Sequence, residues 1–326
     1  MRIVFLGFPI TSSWGPDHAT NHRALARELT RRGHEVLLCE RDFERAESDV
    51  RAADFVAIGC HMPDGAAVAT WALDTARGTT AFYDTDTPVT LDRLAVGGHE
   101  YLTPELVPRF DLYLSVTGGP TLQRLENEYG ARKAVAFHCL VDPEAYHAVG
   151  GPLRWDLGYL GTYSDDRRPT VEALLLEPAR RTGMRSFAVA GSQHPADIEW
   201  PDNVERLDDV PPVDQPAFYA AQRFTLNVTR AAMRKAGWSP SAQLFEAAAC
   251  GVPVISDVWP GLEEFFEPEA EVLLAHDTDD VLRHLRDVGD DERRTIAARA
   301  RRRVLGAHTA ARRCEQLELL VVRAAA

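Results

Sequence analysis

Short apolar runs alternate with segments of helical period along almost the whole chain, and this alternation constrains the fold more than any other feature. RIVFLG (Arg2 to Gly7) and DFVAIG (Asp54 to Gly59) are nearly continuous in apolar residues, as strands covered on both faces of a parallel sheet must be. Glu35 to Cys39, Thr79 to Tyr83, Asp111 to Val116 and Ala134 to Cys139 continue the series of expected strands. Between them the periodicity predicts helices over Ala19 to Arg32 and Thr121 to Tyr129. The short stretch HAVGGPLRW, His147 to Trp155, reads as a linker. After it the pattern restarts, with strands over Asp156 to Leu160, Ser186 to Ala190, Phe224 to Val228 and Val252 to Ser256. Helices are expected over Arg168 to Arg181, Gln215 to Ala221 and Pro240 to Cys250, and through most of the tail from Asp279 to Val322.

The expected fold class is therefore α/β, with two Rossmann-like parallel-sheet domains facing a cleft. Residues 1–146 would form the N-terminal domain and 156–308 the C-terminal one, with 309–326 a terminal helix packing back towards the first. A length of 326 residues suits two domains. The net charge of −13 argues against nucleic acid or an anionic membrane as partner, since both reward basic surfaces. Five widely spaced cysteines, Cys39, Cys60, Cys139, Cys250 and Cys314, read as small buried hydrophobes in a reducing compartment. No run approaches the roughly 20 apolar residues of a membrane span. The start, MRIVFLGF, reads as a strand without a basic leader or cleavage site, so a cytoplasmic protein is expected.

The segment WSPSAQLFEAAACGVPVIS, residues 238–256, carries the most chemistry. Ser239 suits an N-cap, Pro240 a first helical position, and Gly251 with Pro253 a helix end. A helix start crowded with small residues such as Ser239 and Ser241 exposes free N–H groups and the positive end of the helix dipole, a ready site for a diphosphate. Glu246 follows on the same face, where a carboxylate can accept hydrogen bonds from ribose hydroxyls; the plainer alternative is a salt-bridged residue of a capped amphipathic helix.

FEAAACGVPVIS resembles the C-terminal signature of family 4-like glycosyltransferases of the GT-B fold. FTLNVTRAAMRKAGWSPSAQLFEAAACGVPVISDVWPGLEEFF resembles the CgeB-like (spore-maturation-type) branch more closely, as do GYLGTYSDDRRP (158–169), AFYDTDTPVTLDRLAVGG (81–98) and YLSVTGGPTL (113–122). The resemblance implies transfer of a sugar from a UDP-, dTDP- or GDP-linked donor to an acceptor nucleophile such as a hydroxyl. It implies that Glu246 holds the donor ribose and that Thr162 and Tyr163 sit at phosphate or sugar. Asn227, Thr229 and Arg230 end a strand beside that site, where Arg230 either neutralises the diphosphate or caps a helix. Arg167 and Arg168 are second choices for the same task, and the Val210 to Pro212 loop resembles the segment that packs the base. One departure stands out: the position of the family's first glutamate, eight residues before the second, is Trp238 here.

In the N-terminal half the loop TSSWGPDHATNHR offers Ser13 and Gly15 for close backbone approach to a ligand, with His18 a helix-cap residue or a ligand contact. His61, Asp84 and Asp86 follow expected strands, where active-site groups belong. Each could serve as the base that takes the acceptor proton; the alternatives are a capping His61 and Asx turns before Pro88. The DTD tripeptide (84–86) invites a metal-binding reading, but it lies in the half opposite the donor signature, so no metal and no other cofactor is expected. Rival readings are a nucleotide-sugar epimerase or phosphorylase on the same fold and a non-catalytic nucleotide-sugar-binding protein. A nicotinamide dehydrogenase is disfavoured because GFPITSSWG is not GxGxxG.

Overall fold

The computed structural model describes residues 1–11, 16–98 and 100–324. The chain divides into two compact units. Unit 1 comprises Met1–Leu140, Ala236–Ser239 and Ala310–Ala326, and unit 2 comprises Val141–Lys235 and Pro240–Thr309.

Unit 1 carries strands β1 (Arg2–Leu6), β2 (Glu35–Cys39), β3 (Phe55–Gly59), β4 (Thr79–Asp84), β5 (Leu112–Ser115) and β6 (Ala134–Ala136). All pair in parallel in the order β2-β1-β3-β4-β5-β6. Consecutive residues of β3 point to opposite faces, so Val56 and Ile58 enter one core with Leu6 and Phe82 while Phe55 and Ala57 enter another with Ile3 and Phe5. Both faces of β3 are sealed, which is why FVAIG is apolar throughout. The terminal helix Ala310–Ala324 closes the second face through Cys314, Leu317 and Val321, packed with Leu25, Leu29 and Phe5.

Unit 2 carries β7 (Trp155–Leu160), β8 (Phe187–Ala190), β9 (Val204–Leu207), β10 (Gln222–Asn227), β11 (Val254–Ser256) and β12 (Leu273–Leu274), parallel in the order β12-β11-β10-β7-β8-β9. β9 and β12 escape the sequence reading because each is a short edge strand. Trp155, expected in the linker, is the first residue of β7, and the unit boundary falls earlier, at Leu140–Val141. The helix expected over Arg168–Arg181 is broken in the middle by a π-helical turn at Glu172–Leu176. No described helix is long and apolar enough to cross a membrane.

The two strand orders place their topological switch points differently. In unit 1 the order reverses between β1 and β3; in unit 2 it reverses between β7 and β10. Open α/β sheets bind ligands beyond the carboxyl ends of the strands at such points.

Candidate functional site

At the switch point of unit 2, Thr162 and Tyr163 follow β7, Asn227 ends β10, and Thr229 and Arg230 follow it, with the helix Ala242–Cys250 tied to Asn227 through Ser241. The N-cap of that helix is Ser241, not Ser239: its hydroxyl accepts from the Leu244 N–H at 3.2 Å. The helix thus starts at Ala242, two residues later than the sequence suggests, and Ser239 and Pro240 precede it. Ser241 also donates to the Asn227 side-chain oxygen at 2.8 Å, and Asn227 donates in turn to the Ser256 hydroxyl at 3.0 Å. Thr229 donates both its N–H, at 3.1 Å, and its hydroxyl, at 2.8 Å, to Asp257.

This chain of hydrogen bonds ties the ends of β10 and β11 to the start of the helix. Asn227 and Thr229 are buried and their side chains are engaged within it, so they build the frame of the site rather than offering open contacts. Asp257 is the residue the sequence reading missed. Its signal was its place, directly after a buried strand in VISD. Burial pushes its carboxyl up to about 6, against the stabilising hydrogen bonds from Thr229.

Glu246 is buried in the helix that Ser241 caps. Arg230 is partly exposed, with its Nε 3.8 Å from Asp166, whose carboxylate also accepts the Ala231 N–H at 2.9 Å. Thr162 is exposed and its carbonyl accepts from Arg167, whereas the Tyr163 hydroxyl donates to Asp165 at 2.7 Å. Arg168 is paired with Asp197 at 2.9 Å.

Ser239 and Trp238 belong to unit 1. The Ser239 hydroxyl lies 2.9 Å from that of Thr117, and the Trp238 carbonyl accepts the Gly118 N–H at 2.9 Å. Trp238 holds a left-handed φ of 46°, rare for a bulky residue, with its ring against the backbone of Gly119, where a Cβ would lie 2.4 Å from the ring. Ser239, expected to hold the diphosphate from the helix mouth, is thus an interior group of the other unit.

In unit 1 the switch point lies between the loops after β1 and β3. Ser13 and Gly15 lie outside the described residues, as does the His18 side chain. His61 follows β3 and is half exposed, and its Nε2 is 3.9 Å from Asp86 Oδ2. Asp84, at the end of β4, is fully buried. One of its oxygens accepts the Tyr113 hydroxyl at 2.6 Å; the other accepts the Asp86 N–H and the Thr90 hydroxyl, each at 3.0 Å. Burial raises its pKa, opposed by these hydrogen bonds. Having no surface to meet an acceptor, Asp84 is a framework residue and not the candidate base that its strand-end position suggested. Among the described residues no three His, Cys, Asp or Glu side chains are grouped so as to hold a metal ion.

Residues 167–318 match a family model described as glycosyl transferase-like. No curated protein matches the sequence. Among solved structures, sucrose-phosphate synthase from Thermosynechococcus elongatus aligns at a TM-score of 0.69 and 13% identity, over 98% of each chain. HepE of Anabaena in complex with UDP-glucose aligns at 0.70 and 14% identity, over 98% of this chain and 99% of that one. An alpha-glucosyltransferase in complex with UDP-glucose and DNA containing an abasic site aligns at 0.70 and 14% identity, over 98% of each chain. The two-sheet architecture is that of GT-B glycosyltransferases.

Proposed function

We propose that this chain, a GT-B-fold protein with a glycosyl transferase-like C-terminal region, transfers a sugar from a nucleoside diphosphate to an acceptor nucleophile such as a hydroxyl. The observation that carries the reading is the assembly at the switch point of unit 2. A Ser241-capped helix with Glu246 inside it lies within the matched region, and Arg230 stands partly exposed at the neighbouring strand end. A helix N-terminus and a guanidinium are the groups that stabilise a leaving diphosphate as its charge grows. In this reading they hold the phosphates and Glu246 holds the ribose hydroxyls. Ser241, Asn227 and Thr229 keep the helix start aligned with the strand ends.

We infer that the transfer needs no metal, because the helix dipole and Arg230 supply the positive charge; full activity in excess EDTA is the expected result. The strings at 81–98, 113–122 and 158–169 support placement in the CgeB-like branch. The overall charge of −13 favours a small molecule, glycan or protein acceptor over nucleic acid. UDP-glucose is the first donor to test, since HepE and the alpha-glucosyltransferase are each described in complex with it.

Trp238, standing where the resemblance calls for a carboxylate, favours a second reading, a nucleotide-sugar-binding protein without transfer. The two are separated by following free nucleoside diphosphate from UDP-glucose, dTDP-glucose and GDP-mannose. A transferase releases diphosphate from at least one of them, and faster with acceptor. Binding with no release from any of the three would leave only the second reading.

A further inference from the structure

We propose that Asp166 is the residue by which the unit 2 site tells its nucleoside diphosphate product from its donor: a fixed carboxylate beside Arg230, it opposes the more negative of the two and so favours its release. The proposal rests on the transferase reading and adds to it the step that empties the site.

Arg230, to which that reading assigns the phosphates, stands in a loop held on both sides by acids. On one side the Thr229 N–H donates to Asp257, in the loop after β11, at 3.1 Å. On the other the Ala231 N–H donates to Asp166, in the loop after β7, at 2.9 Å. Since β10 lies between β11 and β7, loops from three neighbouring strands meet at this arginine through carboxylates. Negative charge so close to a group that holds an anion weakens its grip on that anion.

The two acids differ. Asp257 is 3% exposed, and burial pushes its carboxyl up to about 6. Asp166 keeps 32% of its side chain exposed, with Oδ2 3.8 Å from Arg230 Nε. Burial would raise its pKa, but the hydrogen bonds it accepts and the nearby Arg230 and Arg167 hold it below its ordinary value. Asp166 is therefore ionised at neutral pH and open to solvent beside Arg230. Its neighbours in DDRR (165–168) are engaged elsewhere. Asp165 accepts the Tyr163 hydroxyl at 2.7 Å, Arg167 donates to the Thr162 carbonyl at 3.3 Å, and Arg168 pairs with Asp197 at 2.9 Å. The Oδ2 that faces Arg230 is the one bonded by the Ala231 N–H, so the carboxylate stays in place when a phosphate takes over the guanidinium.

In the donor the outer phosphate is esterified by the sugar and carries one negative charge. Once the sugar has left, that phosphate is a monoester whose second ionisation falls near pH 6, at about the value of other phosphate monoesters, so above that pH the product carries one charge more. Arg230 and the start of the Ala242–Cys250 helix attract the added charge and by themselves would hold product more tightly than donor. Asp166 acts against the same added charge. A like charge set against one of two ligands supplies discrimination that attraction alone does not, and product release limits turnover in many enzymes.

The test measures dissociation constants at pH 8 and low salt for UDP with UDP-glucose, dTDP with dTDP-glucose, and GDP with GDP-mannose. Wild type is compared with Asp166→Asn, whose side-chain oxygen can still accept the Ala231 N–H. For a pair that wild type binds, Asp166→Asn should tighten the diphosphate about tenfold and the sugar donor about threefold or less, the scale of one extra charge near a protein surface. Asp166→Ser, equally uncharged, should do the same, and Asp166→Glu should keep the wild-type ratio. Salt at about 0.5 M should shrink the difference. If Asp166→Asn and Asp166→Ser keep the wild-type ratio, or weaken both ligands equally, Asp166 only braces the loop; the proposal is then overturned and the transferase reading survives. If wild type binds no member of the three pairs, both fall.

Discussion

Each unit buries one aspartate at the end of a central strand, and the two carboxylates are held in different ways. Asp84 in unit 1 receives three hydrogen bonds from three residues, Tyr113, Thr90 and Asp86, and is sealed. Asp257 in unit 2 receives its hydrogen bonds from the N–H and hydroxyl of one residue, Thr229, and its carboxyl is pushed up to about 6. Position at a strand end is thus a poor guide to role. Burial raises the pKa of both carboxyls, and what differs is the origin of their donors: three residues close over Asp84, and one holds Asp257. In unit 1 the network closes on the strand end, with Asp86 held through its N–H; in unit 2 it runs outward through Asn227 to the cap of the helix.

The largest expected effect separates the two anchors. Asp84→Ala leaves the buried hydroxyls of Tyr113 and Thr90 without their acceptor, so we expect a loss of about 3–5 kcal/mol in chemical denaturation. A loss below about 1 kcal/mol would show that Asp84 anchors nothing.

The next effect depends on pH. The folded Asp257 carboxyl titrates near 6, whereas the unfolded chain's titrates near 3.8. Between these values the folded state binds more protons than the unfolded one. The stabilisation from this group is therefore complete below about pH 4 and is lost as pH rises through 6, in all about 3 kcal/mol. Asp257→Asn should flatten the difference in melting temperature between pH 4 and pH 7 relative to wild type. Parallel pH curves for the two proteins would mean that Asp257 does not titrate in this window.

The smallest effect probes how far the unit 2 network reaches. Ser241→Ala removes the helix cap and the link to Asn227 and should cost about 1 kcal/mol. It should also weaken nucleoside diphosphate binding severalfold, while Thr229→Val, which keeps the N–H to Asp257, should weaken it less. Equal binding by Ser241→Ala and wild type would detach the cap from the donor site.

The alternation of strands and helices was legible because parallel strands covered on both faces are largely apolar, as β3 (FVAIG) is throughout and β1 is after Arg2. β9 was not legible: VERL is an edge strand with two exposed residues, and its period-2 signal is too short to stand out. The helix motif around Glu246 could be read from local caps, yet choosing between Ser239 and Ser241 depended on Thr117, more than a hundred residues away. Asp84 shows the same limit. DTD reads as a polar turn until Tyr113 and Thr90 are seen to close over it. His61 and Asp86 could each be proposed from strand-end position, but their pairing, and the framework beneath them, exist only in three dimensions.

We propose that a nucleoside diphosphate is held where the Ala242–Cys250 helix begins, with its ribose at Glu246. The direct test is the melting temperature of wild type and Glu246→Ala with UDP, GDP, dTDP, CDP or ADP. A bound diphosphate at about 100 times its dissociation constant stabilises the fold by about 2.7 kcal/mol, enough to be read as a clear upward shift. The account predicts that at least one diphosphate raises the wild-type melting temperature and that Glu246→Ala, folded on its own, loses most of that rise. No shift with any of the five, or an equal shift in both proteins, would contradict it.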